Sequence, residues 1–474
     1  MRKTASMTLV FSILPIAALI LALIVFRLPA WCAALAALAV GVAEAFFAFG
    51  LSPGAIAGSA AGGVATGLYP IGLVIVAALF TYAVTVESDA ITDIKGALAS
   101  LSSDSRFLAL LVAWGFGLFM EGMAGFGTAV AIPCAILVGV KFDPMKAVLC
   151  CLVANTTPTA FGSVGVPTMV LASETGLELG RLTTTIAVLQ LLATSLSPFL
   201  ILFIVDGWRG LRECWRLALV SDIALLGSWL AVAPFMGCEL PNIVGGLAVM
   251  VALAAAGGRC GAMDLKRQLW AWQPFAYVVL ALGCAAFLPQ SCKVSPGIVI
   301  FAAALVGGYC QGLGFRKLGC LAGRTAWRYS PALLTICAVL ALGKVMGASG
   351  MTRALADALI ASTGRCYCAV ASVVGALGGF VTGSGTSSNV LFGALQASVA
   401  SSEAERYLFA AANVMGAGIG KMLCPQSLVL GCATAGLVGR EAEVMGRALR
   451  YFIPVLSLAC IATIASALIV RMTI

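Results

Sequence analysis

One carboxylate and two lysines, Glu121, Lys344 and Lys421, stand inside stretches otherwise apolar enough to cross a membrane. A charge at that depth is costly and marks substrate, ion or proton handling. Glu121 sits just before Gly125-Phe-Gly127-Thr128, where it can exchange a proton as an anion loads. Lys421 is placed to neutralise a substrate carboxylate or to pair with Glu121. Lys344 belongs either in the same cavity or at the outer surface. Small polar residues crowd the same regions: Gly125, Gly127, Thr128, Asn155, Thr156 and Thr157, then Ser384, Thr386, Ser387, Ser388, Asn389 and Asn413. An anion leaving water needs donors and positive dipole ends in exchange. Helices broken at such residues supply unpaired N–H groups, while hydroxyls and amides add further donors. These residues form an expected small-anion binding site.

Two of the polar stretches repeat at a constant offset of 258 residues. Gly125 falls on Gly383, Gly127 on Gly385, Thr128 on Thr386, Ala154 on Ala412, Asn155 on Asn413, Gly162 on Gly420 and Pro167 on Pro425. Paired Gly/Pro-interrupted segments in the two halves of a hydrophobic chain point to the substrate site of a carrier.

Such segments need a scaffold. Of 474 residues, 61% are hydrophobic and 10% charged, which a soluble core cannot hide. Apolar runs occupy 9–26, 30–50, 60–86, 181–205, 217–236, 240–257, 271–288, 294–313, 329–346 and 449–470. The first is read as a retained helix, not a cleaved leader. Regions 106–141 and 366–400 are read as re-entrant hairpins with glycine-threonine tips. Regions 145–173 and 406–438 are read as spans unwound in mid-membrane, the second from Asn413 to Pro425, which is tolerated where they line a wet cavity. The expected fold is an all-α polytopic membrane protein with about twelve transmembrane helices and two hairpins.

Lysine and arginine positions orient it. With both termini outside, 18 of 28 fall in inside loops and 8 outside, leaving Lys344 and Lys421 in the membrane. The first hairpin then enters from the cytoplasmic side and the second from outside. The halves, 1–210 and 266–474, become inverted-topology repeats joined by helices in 211–265, with the site near the midplane. The net charge of +9 is thereby assigned to orientation and not to nucleic acid. Seventeen cysteines without a histidine, mostly inside apolar runs, read as small hydrophobes, with neither metal nor cofactor expected.

The stretches at these positions resemble the lactate permease family, which includes glycolate permeases. They are Glu121-Gly-Met-Ala-Gly-Phe-Gly-Thr128, Ala154-Asn-Thr-Thr-Pro158, Ala160-Phe-Gly162 and Gly165-Val-Pro167. In the second half come Thr382-Gly-Ser384, Thr386-Ser-Ser-Asn-Val-Leu-Phe-Gly393, Gly420-Lys-Met-Leu-Cys-Pro-Gln-Ser427 and Gly436-Leu-Val-Gly439. Asp206-Gly-Trp-Arg-Gly210 matches between the halves. The resemblance implies proton-coupled symport of lactate or glycolate across the cytoplasmic membrane. It also implies kinship with hairpin-containing carriers that use an elevator motion and are often homodimers. Two positions depart from the family pattern. Gly385 stands where an aspartate is usual, and Ala83 follows Tyr82 where relatives often carry lysine. Aligning Ser88 with Ser349 puts Lys344 in the mirror position of Ala83.

The expectation is therefore a carrier and not an enzyme. Sodium coupling or another small organic anion is the second reading, since asparagine, hydroxyl and carbonyl groups also ligate Na⁺. A transport-like sensor is the remote third.

Overall fold

A chain in hydrocarbon must satisfy its own backbone polar groups, so continuous apolar sequence folds to helix. In the computed structural model every regular element among the described residues is helical. The structure describes residues 2–26, 28–257, 265–288 and 294–473. Arg27, Arg259 and Lys293, three of the charges used for orientation, lie outside them.

Seven helices among the described residues are long and apolar enough to cross a membrane: Ala30–Phe47, Pro53–Glu87, Ser105–Met123, Leu179–Met236, Lys266–Ala286, Ser330–Ser349 and Glu441–Met472. Two sharply bent helix pairs raise the number to nine if each counts as one span. The expected runs 181–205 and 217–236 fall within the single stretch Leu179–Met236, whose backbone leaves helical angles at Asp206 and Gly207. Runs 240–257 and 294–313 form the shorter helices Pro241–Gly257 and Pro296–Cys310. The run at 60–86 begins earlier than its hydropathy indicates. Ser52 Oγ accepts from Ala55 N–H at 3.3 Å, and Pro53 occupies the first helical turn.

The helix Ser105–Met123 is buried over 94% of its apolar window and turns back through Ala124–Gly127 into Thr128–Gly139. The two arms pack as a hairpin. A helix apolar on every side belongs inside a protein. Glycines admit its neighbour closely. A Cβ on Gly115 would meet Met250 Cγ at 2.9 Å, and one on Gly122 would meet Asn242 Cβ at 2.8 Å. Pro241–Gly257 is thus pressed along the hairpin's first arm.

Ala371–Thr382 and Gly385–Val399 form a corresponding second hairpin. Its first arm crosses Glu403–Gly420 through two interlocked glycine pairs. Cβ atoms on Gly375 and Gly379 would strike the Asn413 and Ala417 carbonyls. Those on Gly416 and Gly420 would strike the Ser372 and Ala376 carbonyls. Small residues at four-residue spacing let two helices touch along their backbones.

Candidate functional site

Four chain breaks meet in the interior. The first hairpin tip carries three successive left-handed residues, Gly125 (φ 63°), Phe126 (φ 49°) and Gly127 (φ 87°). Opposite it lies a second such run, Ser163 (φ 45°), Val164 (φ 56°) and Gly165 (φ 78°), inside the bent pair Pro144–Ala154 and Pro158–Thr175. The runs support each other. Ser163 Oγ donates to the Ala124 carbonyl at 3.1 Å and fills the space a Cβ on Gly125 would need. Left-handed Phe, Ser and Val store backbone strain of the kind that gathers at ligand sites.

At the second hairpin tip Gly383 (φ 67°) ends one helix and Ser384 caps the next, its Oγ accepting from Ser387 N–H at 3.3 Å. The fourth break, Lys421–Cys424, separates Glu403–Gly420 from Pro425–Ala435.

Between these breaks lies a cavity of about 440 Å³. Its walls come from Gly127 of the first tip and Thr382–Ser387 of the second. The bends add Thr159, Gly162, Ser163 and Pro167, then Lys421, Gln426, Ser427 and Leu430. Helices starting at Thr128, Gly385 and Pro425 all begin at this cavity, so positive dipole ends converge on it.

Glu121 and Lys421 both line the cavity, and Lys421 Nζ donates to Glu121 Oε1 at 2.8 Å. The residues are only 3% and 7% exposed. A Cβ on Gly162 would stand 3.0 Å from Glu121 Oε1, so glycine leaves room for the carboxylate. Glu121 Oε2 is buried without a hydrogen-bond partner. This ion pair neutralises itself and leaves one carboxylate oxygen without a partner.

Of the expected binding residues, Gly127, Ser384, Thr386 and Ser387 line the cavity with Glu121 and Lys421. Gly125, within the first tip, does not line the cavity, and Thr128 Oγ1 donates to its carbonyl at 2.8 Å. Asn155 ends its helix with Oδ1 buried and unpartnered. Thr156 Oγ1 donates to the Val153 carbonyl at 2.8 Å, whereas Thr157 Oγ1 is buried without a partner. Ser388 Oγ donates to the Gly375 carbonyl at 3.3 Å. Asn413 Nδ2 donates to Asn389 Oδ1 at 2.9 Å, and Asn389 Nδ2 donates to the Pro167 carbonyl at 2.8 Å. These two asparagines therefore tie the second hairpin to the first bent pair. The reading of 406–438 as unwound from Asn413 differs from the structure, where helix continues to Gly420. Glycine packing against Ala371–Thr382 holds that stretch helical. Lys344 faces elsewhere, its Nζ donating to the Gly62 carbonyl at 3.1 Å and Thr66 Oγ1 at 3.0 Å.

A family model described as L-lactate permease matches residues 8–259 and 279–473. The chain belongs to the L-lactate permease family. It is 35% identical over 430 residues to an L-lactate permease of Streptococcus iniae, covering 82% of this chain and 90% of that one. It is 32% identical over 510 residues to a glycolate permease of Escherichia coli (strain K12), covering 91% of each. An L-lactate permease of Bacillus subtilis (strain 168) is 29% identical over 532 residues, covering 95% of this chain and 94% of the relative. With its apolar helices, this family member is an integral membrane permease and not an enzyme.

The sequence reading passed over Thr159, Ser163, Gln426 and Ser427, all on the cavity wall. Their signal was position: each lies within or just after a Gly/Pro-marked break. Arg328 and Tyr329 also line the cavity but belong to neither repeat motif.

Proposed function

We propose that this permease carries lactate, glycolate or a close small 2-hydroxymonocarboxylate together with a proton. The Glu121–Lys421 pair inside the cavity carries this reading. While the pair is closed, the lysine charge is spent on Glu121. A proton on Glu121 weakens the pair and frees the ammonium to receive the substrate carboxylate. The helix starts at Thr128, Gly385 and Pro425 add positive potential. Thr159, Ser163, Ser384, Thr386 and Ser387 offer partners for the 2-hydroxyl. Loss of the proton restores the pair and expels the anion. Every step balances one proton against one negative charge, so the cycle is electroneutral.

The same proposal takes the two hairpins as re-entrant and the halves as inverted repeats among about twelve spans, with both termini outside. It is supported by the left-handed glycines that share the 258-residue register, Gly125 and Gly383, and by the two bent helix pairs, Pro144–Ala154 with Pro158–Thr175 and Glu403–Leu423 with Pro425–Ala435. The test is uptake of labelled L-lactate and glycolate into proteoliposomes under an inward proton gradient without sodium. Concentrative uptake abolished by a protonophore is expected, with no response to membrane potential at fixed pH gradient. Uptake that requires sodium would replace the proton as coupling ion.

A further inference from the structure

The cavity contains a second cation, Arg328, with a different status from Lys421. Arg328 ends the amphipathic helix Phe315–Arg328. Two basic neighbours on that helix are paired, Lys317 with Glu87 at 3.0 Å and Arg324 with Glu87 at 3.6 Å. Among the described residues Arg328 makes no ion pair, and its guanidinium lies 5.9 Å from the Tyr329 ring centre. The exposed rim around it holds Trp31 and Phe126, and Phe126 meets Tyr329 at 6.4 Å between ring centres. The deep pole is self-neutralised by Glu121, so the uncompensated positive charge of the cavity sits at this rim. The cavity, about 440 Å³, has room for a dozen or so waters, well beyond one six-heavy-atom hydroxy acid.

We propose that Arg328, flanked by Tyr329 and Trp31, forms an outer anion subsite, at the cytoplasmic rim in the proposed orientation, that exchanges the substrate carboxylate with Lys421. This rests on the carrier reading above. While Glu121 is ionised, Arg328 is the free cation facing an incoming carboxylate. Protonation of Glu121 then opens the deeper position. Its low-dielectric walls strengthen the rim field, while salt screens it.

The test is equilibrium binding of labelled L-lactate to the purified full-length permease, alongside proteoliposome uptake at low and high ionic strength. Wild-type protein should bind two lactates per chain, and R328Q and K421Q one each. At low ionic strength R328Q should raise the KM for lactate presented at the cytoplasmic face, read as exchange, about fivefold or more and remove its salt dependence. R328K should recover much of both, with thermal unfolding confirming that each variant is folded. Uptake by wild type with a single bound lactate, or an R328Q KM and salt response like wild type, overturns the outer subsite and leaves the carrier reading standing. A fall in kcat at unchanged KM also overturns it, because Arg328 would then act on the moving protein. Wild type that neither binds nor takes up lactate or glycolate overturns both.

Discussion

The two bent helix pairs occupy matching places in the two halves, yet the chain uses them differently. The first bends by 64° and spreads its break over Asn155–Gly165, lining the cavity with a hydroxyl, a glycine and a strained serine. The second bends by 45° and confines its break to Lys421–Cys424, placing a charge there. The carboxylate that answers this lysine comes from the hairpin of the opposite half. The chemistry is divided, with the carboxylate in one half and the cation in the other.

Substitutions at the charged pair test this division most severely. Lys421→Gln leaves the buried Glu121 carboxylate without its ion-pair partner. We expect loss of about 3–5 kcal/mol of stability and of net lactate uptake, read by thermal unfolding and proteoliposome transport. The double variant Glu121→Gln/Lys421→Met should recover most of the stability without recovering driven uptake. Recovery of both would remove the pair from the mechanism.

Glu121→Gln alone should abolish proton-driven accumulation while exchange of internal for external lactate continues. Wild-type driven uptake should fall as external pH rises toward the internal value, because fewer carriers load a proton. The variant's exchange rate should lose that pH dependence.

The paired asparagines sharpen the comparison at a smaller scale. Asn413→Ala strips Asn389 Oδ1 of its 2.9 Å donor inside a buried network, costing about 1–3 kcal/mol. Asn155→Ala removes an amide oxygen that has no partner and should cost less stability than Asn413→Ala. Equal shifts in melting temperature would contradict the division of roles. Lys344→Met should have the smallest effect on transport, since its amine donates to the Gly62 carbonyl and Thr66 Oγ1, outside the cavity. Coupling ratio and KM should stay near wild type in a proton-flux assay.

The register that the repeat reveals is a register of backbone. Gly125 and Gly383, matched by sequence alone, adopt φ of 63° and 67°, because each ends a hairpin arm where L side chains fit poorly. Asn155 and Asn413 match equally well, yet one ends a helix and the other lies within one. Their partners come from other elements, Gln396 and Asn389 in the case of Asn413, and an offset carries no information about those. Hydropathy marks apolar length, but Leu179–Met236 and the short helices Pro241–Gly257 and Pro296–Cys310 show that helix length also depends on breaks and packing. Arg328 was legible only as a loop charge, since its place on the cavity rim depends on how a helix outside the binding motifs is docked.

The interlocked glycines have a mechanical consequence. Gly375, Gly379, Gly416 and Gly420 bring two helices into main-chain contact, with no intervening side chains whose rotamer changes would let one slide past the other. Lys421 follows the last of these glycines, and the tip at Gly383 follows the partner helix by a single residue. Any displacement that carries the tip therefore carries the ammonium by the same vector, as two teeth of one gear keep their spacing. The second tip and the Lys421 ammonium travel in step, and relative motion is left to their contacts with the other half, Glu121 among them.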